Sequence, residues 1–369
     1  MLPSNLGILF VFVLMMGISA CASIPVIPDS TTSTATLATA TQTATPQPPT
    51  LTPIPTVLVP LLPDDERILA SIDVGGAPWN MTVGDGFLWV IAVDTIVRID
   101  PQTDQVIGEP IRIELPERAS LEAIVVGEKS LWVSIVGWGN ASAPSDIDSI
   151  VRIDPETGEP LATIKVQRGP VSLAYTPGFV WAVNWGANLL SKIDTKANRF
   201  ASEPFRIGDA PYSITVGDGS VWVVNHDDGA VTRLDPETNQ IIAEIVSHWE
   251  PHRVAFGESA VWVGNWHDLS VSRIDLQTNK FVGGPIPIGY VAGNIAAGDG
   301  NVWVTSDYRG VTAFPEPIPD HTVLIRIDPN TNKVVDTIPL GGHPVDVEVT
   351  EDAVWVSIQN PNYVLKIRP

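Results

Sequence analysis

One cysteine, Cys21, occurs in 369 residues, so no disulfide within the chain is possible. Basic residues are scarce: 21 Lys and Arg stand against 42 Asp and Glu, a formal net charge of −21 at pH 7. That field repels phosphate backbones and anionic membrane surfaces, so nucleic acid is not an expected partner. The apolar run at residues 6–18, LGILFVFVLMMGI, is too short to span a bilayer and has the length of a signal-peptide core. No 3.6-residue apolar period is sustained over ten residues, which argues against helical repeats. Phosphate-binding glycine loops, dinucleotide fingerprints and serine-nucleophile motifs are absent as well.

What the sequence has instead is repetition. The segments FLWVIAV, SLWVSIV, FVWAVNW, SVWVVNH, AVWVGNW, NVWVTSD and AVWVSIQ centre on Trp89, Trp132, Trp181, Trp222, Trp262, Trp303 and Trp355. A second marker follows each: VRIDPQT, VRIDPET, SKIDTKA, TRLDPET, SRIDLQT, IRIDPNT and LKIRP. Strand-like segments recurring at roughly forty-residue intervals are the signature of propeller blades. The expected fold is all-β: a seven-bladed propeller of four-stranded antiparallel blades over residues 64–369. In the fifth repeat, strand A is 251–257, B is AVWVGNW, C is SVSRID and the outer strand D is KFVGGPIPI. GDG, GES and GEK read as A–B turns in which glycine supplies positive φ. DPETN and DPNTN read as C–D turns, with Asp capping and Asn tolerating the left-handed region. The chain stops after strand C of the last blade, so residues 66–74, ERILASIDV, are expected to supply its missing outer strand.

Residues 1–63 carry one charge, Asp29. Residues 31–56 are rich in Thr, Ala and Pro and have no apolar period, so residues 21–63 read as a disordered tether. A tether of ~40 residues would reach on the order of 120 Å in polyproline geometry. The apolar run ends in ISAC, which resembles the bacterial lipobox. The resemblance implies a signal peptide over residues 1–20, lipidation of Cys21, and a domain outside the cytoplasm that meets the membrane only through its anchor; the domain is expected to be monomeric.

In an antiparallel blade the D–A and B–C connections share one face. That face collects the tryptophans outside the repeat, namely Trp79, Trp138, Trp185, Trp249 and Trp266. It also collects all six histidines, 226, 248, 252, 267, 321 and 343, together with Tyr212, Tyr290 and Tyr308. The insertions at 137–148 and 307–322 fall on the same side. Such loops on a rigid ring are where binding concentrates. The candidate binding residues are Trp79, Trp185, Tyr212, His226, Trp249, Trp266 and His267, for a peptide, glycan or small cyclic molecule. Trp79, Tyr212, Trp249 and Trp266 would stack against it; His252 and His267 would hydrogen-bond. Histidines near Asp227, Asp228, Asp268 and Glu250 also suit a divalent metal or acid–base work.

The VWV…RIDPxTN grammar over residues 66–369 resembles the YVTN-type and virginiamycin B lyase-like bacterial propellers, and NWGANLLSKID is particularly like the lyase repeat. The resemblance implies that Glu250-Pro251-His252 supplies a metal-linked Glu250 beside Mg²⁺ and His252 as base of a β-elimination. The family's second His falls here at Tyr212 and its further Glu at Trp266. Asn184, Asn225 and Asn265 stand where the family repeats a Glu. Three readings follow: a tethered ligand-binding propeller, a metal-assisted lyase using His252 and Glu250, and a scaffold for other envelope proteins.

Overall fold

The structure is a computed structural model, and it describes residues 65–138, 146–247, 250–307 and 322–369. Each repeat folds as one antiparallel sheet, and there are seven. The innermost strands are Pro78–Gly84, Ala119–Gly127, Pro170–Thr176, Pro211–Gly217, Pro251–Gly257, Val291–Gly298 and His343–Val349. Each packs beside the next, and the seventh packs beside the first, so the ring is closed. The last sheet takes its outer strand from the N-terminal side, where Ile68–Ile72 pairs with Tyr363–Ile367. Arg67 anchors that strand by binding Asp65 and, at 2.5 Å, Asp336 of the sixth blade. The outer strand of the fifth blade is not continuous. It breaks into Lys280–Phe281 and Ile286–Pro287, and the first and third blades break in the same way.

The apolar core is divided into seven clusters, each lying between two neighbouring blades. The seven repeated tryptophans are at most 2% exposed and are the largest buried side chains. Burying one contributes at least about 1.5–3 kcal/mol. The indole N–H of Trp132, Trp222 and Trp262 donates to the carbonyl of Gly127, Gly217 and Gly257, five residues earlier. In blades three and seven it donates to a threonine hydroxyl, Thr176 or Thr350.

The repeated grammar after each tryptophan joins one blade to the next. In all seven blades an Arg or Lys of strand C lies over its own Trp ring, 4.8 to 5.7 Å from the centroid. Six of these cations continue into the next blade's C–D turn, Arg98 only at the exposed Glu156. Arg152 donates to Thr195 O and Asn198, Lys192 to Pro236 O and Asn239, and Arg233 to Leu276 O and Asn279. Arg273 and Lys366 repeat the pattern at Asn332 and Asp104. The turn Asn is therefore both a left-handed residue and an acceptor for the neighbouring blade. Backbone N–H groups donating to the first Asp of each turn hold the carboxyls of Asp154, Asp194, Asp235, Asp275 and Asp328 below their usual range.

The A–B turns differ from the sequence expectation in one respect. In five of the seven turns both central residues have positive φ, which suits the right-handed twist of a hairpin. Those residues are Asp85-Gly86, Glu128-Lys129, Asp218-Gly219, Glu258-Ser259 and Asp299-Gly300. The glycine that opens each motif lies outside the turn, at the end of strand A, and its role is close approach. A Cβ on Gly217 would stand 1.9 Å from Phe256 Cγ, and one on Gly127 would stand 2.3 Å from Tyr175. Glycine there lets the next blade pack against bare backbone.

Candidate functional site

Each innermost strand begins with a register shift, so that extra residues bulge out of the ladder. In blade four the shift falls between Pro211 and Ser213 and in blade five between Pro251 and Arg253. The displaced residues are Tyr212 and His252. In blade one the shift spans Trp79 and Asn80, and in blade two Glu122 and Ala123. A bulge turns a side chain away from its place in the pleat. Repeated around the ring, it displaces one or two residues of every innermost strand from the ladder.

Blades four and five make the densest cluster. The His252 ring lies 4.2 Å from Tyr212, 4.6 Å from Trp266 and 5.6 Å from His226, centroid to centroid. Tyr212 and His252 come from the bulges, while His226 and Trp266 each follow the last residue of a B strand, Asn225 and Asn265. Those asparagines are fully buried and structural. Asn225 donates to Ile207 O and Thr232, and Asn265 donates to Ser270 and Ser272.

The protonation of the two histidines follows from their partners. His226 Nδ1 is 3.1 Å from Pro251 O. A carbonyl only accepts, so Nδ1 is the donor. His252 Nε2 is 3.2 Å from Arg253 Nη1. A guanidinium only donates, so Nε2 accepts and the proton is on Nδ1, which is buried without a partner. His252 is 9% exposed. Burial, then the charge of Arg253, then His226 push its pKa well below the ordinary value, so it is neutral at physiological pH.

Other expected residues stand apart from this cluster. Glu250 and His267 pair with each other on the exposed edge, Oε2 to Nε2 at 3.2 Å. Trp79 lies in blade one, where its N–H donates to Glu122; Ser120 joins the same carboxylate and in turn accepts from Trp138. Trp185 opens a short 3-10 turn after the B strand of blade three and is 41% exposed. Trp249, His248, Tyr308 and His321 lie outside the described residues. Among the described residues no three His, Cys, Asp or Glu side chains converge as metal ligands. With Glu250 turned to His267, the groups present do not fit a Mg²⁺ site, and no chemical step is derived through one.

Two groups of the channel wall have no counterpart in the sequence reading. Arg253 follows the His252 bulge and stacks on Tyr212, 4.6 Å from its centroid. Asp346, in blade seven, is buried and ties three blades together. Its carboxylate accepts from Met81 N at 2.6 Å, Asn80 Nδ2 at 2.9 Å and Val347 N at 2.9 Å, and from Asn294 Nδ2 of blade six. Burial raises its pKa to about 6 against the pull of those donors. Glu348, two residues on along the same strand, is pushed well above its usual range by burial and by Asp346. Aligning the repeats on their Trp pairs would have singled out Arg253. The equivalent positions hold Asn80, Ala123, Ser172, Ser213, Asn294 and Asp346, none of them basic.

No protein-family model matches the chain, and no curated protein matches it in sequence. Solved structures do. Virginiamycin B lyase from Staphylococcus aureus superposes with a TM-score of 0.65 at 17% identity, covering 81% of this chain and 98% of that one. A streptogramin B lyase gives 0.64 at 15%, covering 81% and 96%. A chain of the mitotic checkpoint complex gives 0.67 at 11%, covering 82% and 94%. At such identities the likeness defines the fold alone: a seven-bladed propeller shared with lyases and with propellers of protein assemblies.

Proposed function

We propose that this chain is an extracytoplasmic, lipid-tethered binding propeller that takes a small ligand at the channel mouth between blades four and five. The observation that carries this reading is the convergence of Tyr212, His226, His252 and Trp266, from four separate chain segments, into one aromatic cluster beside Arg253. The fold does not require these residues, because the other blades close with different side chains at the same positions. A rigid ring also holds such side chains in place before a ligand arrives, which lowers the ordering cost of binding. The test is a thermal-shift panel of small cyclic compounds on wild type, Tyr212→Ala and Trp266→Ala. Ligand-induced shifts confined to the wild type support the reading. Shifts that survive both substitutions refute it. The tether has its own check: labelled palmitate should enter the wild type and not Cys21→Ser.

A second reading is β-elimination, favoured by Glu250-Pro251-His252 on a fold shared with two lyases. The lone pair of His252 is directed at Arg253, so His226 Nε2 is the imidazole nitrogen free to take a proton. Chromatography of a streptogramin B incubated with the chain, for ring-opened product, tests this. Product formation lost in His226→Ala and kept in His252→Phe would assign the base to His226.

A further inference from the structure

We propose that Arg253 is the anchor of this site, and that the molecule it takes carries a carboxylate next to a flat apolar ring. The proposal rests on the reading of the channel mouth as a binding site and names the chemistry of what binds.

The first argument is valence. Arg98, Arg152, Lys192, Arg233, Arg273 and Lys366, six of the seven cations lying over the repeated tryptophans, donate to oxygen. The seventh, Arg326, has its Nε buried without a hydrogen-bond partner. Among the described residues Arg253 has one hydrogen-bond partner, His252 Nε2, and no ion pair. A guanidinium has five N–H donors, so four are without a partner among those residues. The second argument is position. In the equivalent place, Asn80 accepts Ile124 N, Ser213 accepts Val254 N and Asp346 accepts Met81 N, each from the next blade round the ring. Arginine has no acceptor, so blade five lacks that bond, as blade two does with Ala123, and Ile295 N bonds the side chain of Asn294 instead. Arg253 is the one basic side chain at this place in the ring.

Orientation is the third argument. Arg253 is half-buried rather than enclosed, and its guanidinium lies on the Tyr212 ring while Trp266 packs on the adjacent His252. A carboxylate matches the planar fork of a guanidinium with two parallel hydrogen bonds. A single negative charge also suits a channel that already holds Asp346 and Glu348, where a dianion would be repelled. The ring of the ligand would take the apolar wall.

The test compares 3-phenylpropionate with its neutral isostere 3-phenylpropanamide, by calorimetry on the full chain. The acid is expected to bind at least about tenfold more tightly than the amide. Arg253→Met should abolish the preference, and Arg253→Lys should keep part of it, with unfolding midpoints of both variants close to wild type. Inorganic phosphate, run in parallel, should compete weakly. Equal binding of acid and amide that is lost in Trp266→Ala would overturn the anchor while leaving the binding reading in place. Acid binding unchanged in Arg253→Met, or no binding of either compound at about 10 mM, a weak-fragment concentration, would also overturn it. The panel above judges the binding reading on its own.

Discussion

Replacing Arg233 by Met removes a guanidinium and keeps an apolar stem of similar length. In the structure that guanidinium makes bonds of 2.9 Å to Ser220 Oγ, 2.6 Å to Leu276 O, and 2.9 Å to both Asn279 Oδ1 and Asp218 Oδ2. It also lies 4.8 Å from the Trp222 ring. The side chain is 11% exposed, so these are not solvent-screened surface contacts, although Asp218 is half in water. Hydrogen bonds to a charged group contribute roughly 1.5–3 kcal/mol each when buried, and the acceptors at the turn regain water once the cation is gone. A net loss of about 2–4 kcal/mol is expected, including about 1 from the cation–π contact. Urea unfolding followed by Trp fluorescence measures it. Arg98 provides the internal control. The second blade carries Gly158 where blades three to six carry Asn and blade one carries Asp104, and the Arg98 guanidinium donates only to Glu156, which is 73% exposed. Arg98→Met should therefore cost only about 1 kcal/mol. A double-mutant cycle between Arg233 and Asn279 should show a coupling near 1 kcal/mol. If Arg233→Met stays within about 0.5 kcal/mol of wild type, or Arg98→Met costs as much, the blade-to-blade latch is not what the repeat encodes.

Gly217→Ala should destabilise by about 3 kcal/mol or more through the Phe256 clash, whereas Gly219→Ala meets open space and strains only the turn; urea midpoints separate the two. Ser259→Gly should raise stability by about 1 kcal/mol, because a non-glycine residue at φ 56 is relieved of its left-handed penalty. Glu348→Gln should raise the thermal midpoint at pH 7.5 and flatten its pH dependence. The raised pKa values of Asp346 and Glu348 mean that the folded chain binds protons the unfolded chain has released, so wild-type stability falls as pH rises from about 4 through 6. Arg67→Ala should remove the opposite dependence at acid pH. Asp65 is held down to about 2 chiefly by its side-chain bond to Arg67, so its contribution is present above about pH 4 and lost as pH falls toward 2.

Repeat number, strand order and the place of the seven tryptophans were legible because each repeat is the same local solution to one packing problem. Trp262 lies in AVWVGNW and sits buried in a B strand, as its period implied. The Asp and Asn of DPETN could be assigned to a turn from their side-chain chemistry alone. The second glycine of GDG has the positive φ expected of it, as at Gly86, Gly219 and Gly300, but the role of the first, close approach, was not legible. Gly217 is distinguished only by Phe256, which belongs to the next blade. The Asn279–Arg233 bond was hidden for the same reason, as its two halves lie in neighbouring repeats.

The sequence by itself determined a ring of seven sheets, because hydrophobic period, turn chemistry and repeat spacing are local and survive in one dimension. Only the tertiary structure decided which of the residues outside the repeat meet. It separated Glu250 and His267 from His252, placed Tyr212, His226 and Trp266 around that histidine, and set Arg253 beside it with its donors unspent. The physical reason is that a bulge displaces a side chain by an amount no alternation pattern records. Blade curvature then brings together groups that stand about forty residues apart in the chain.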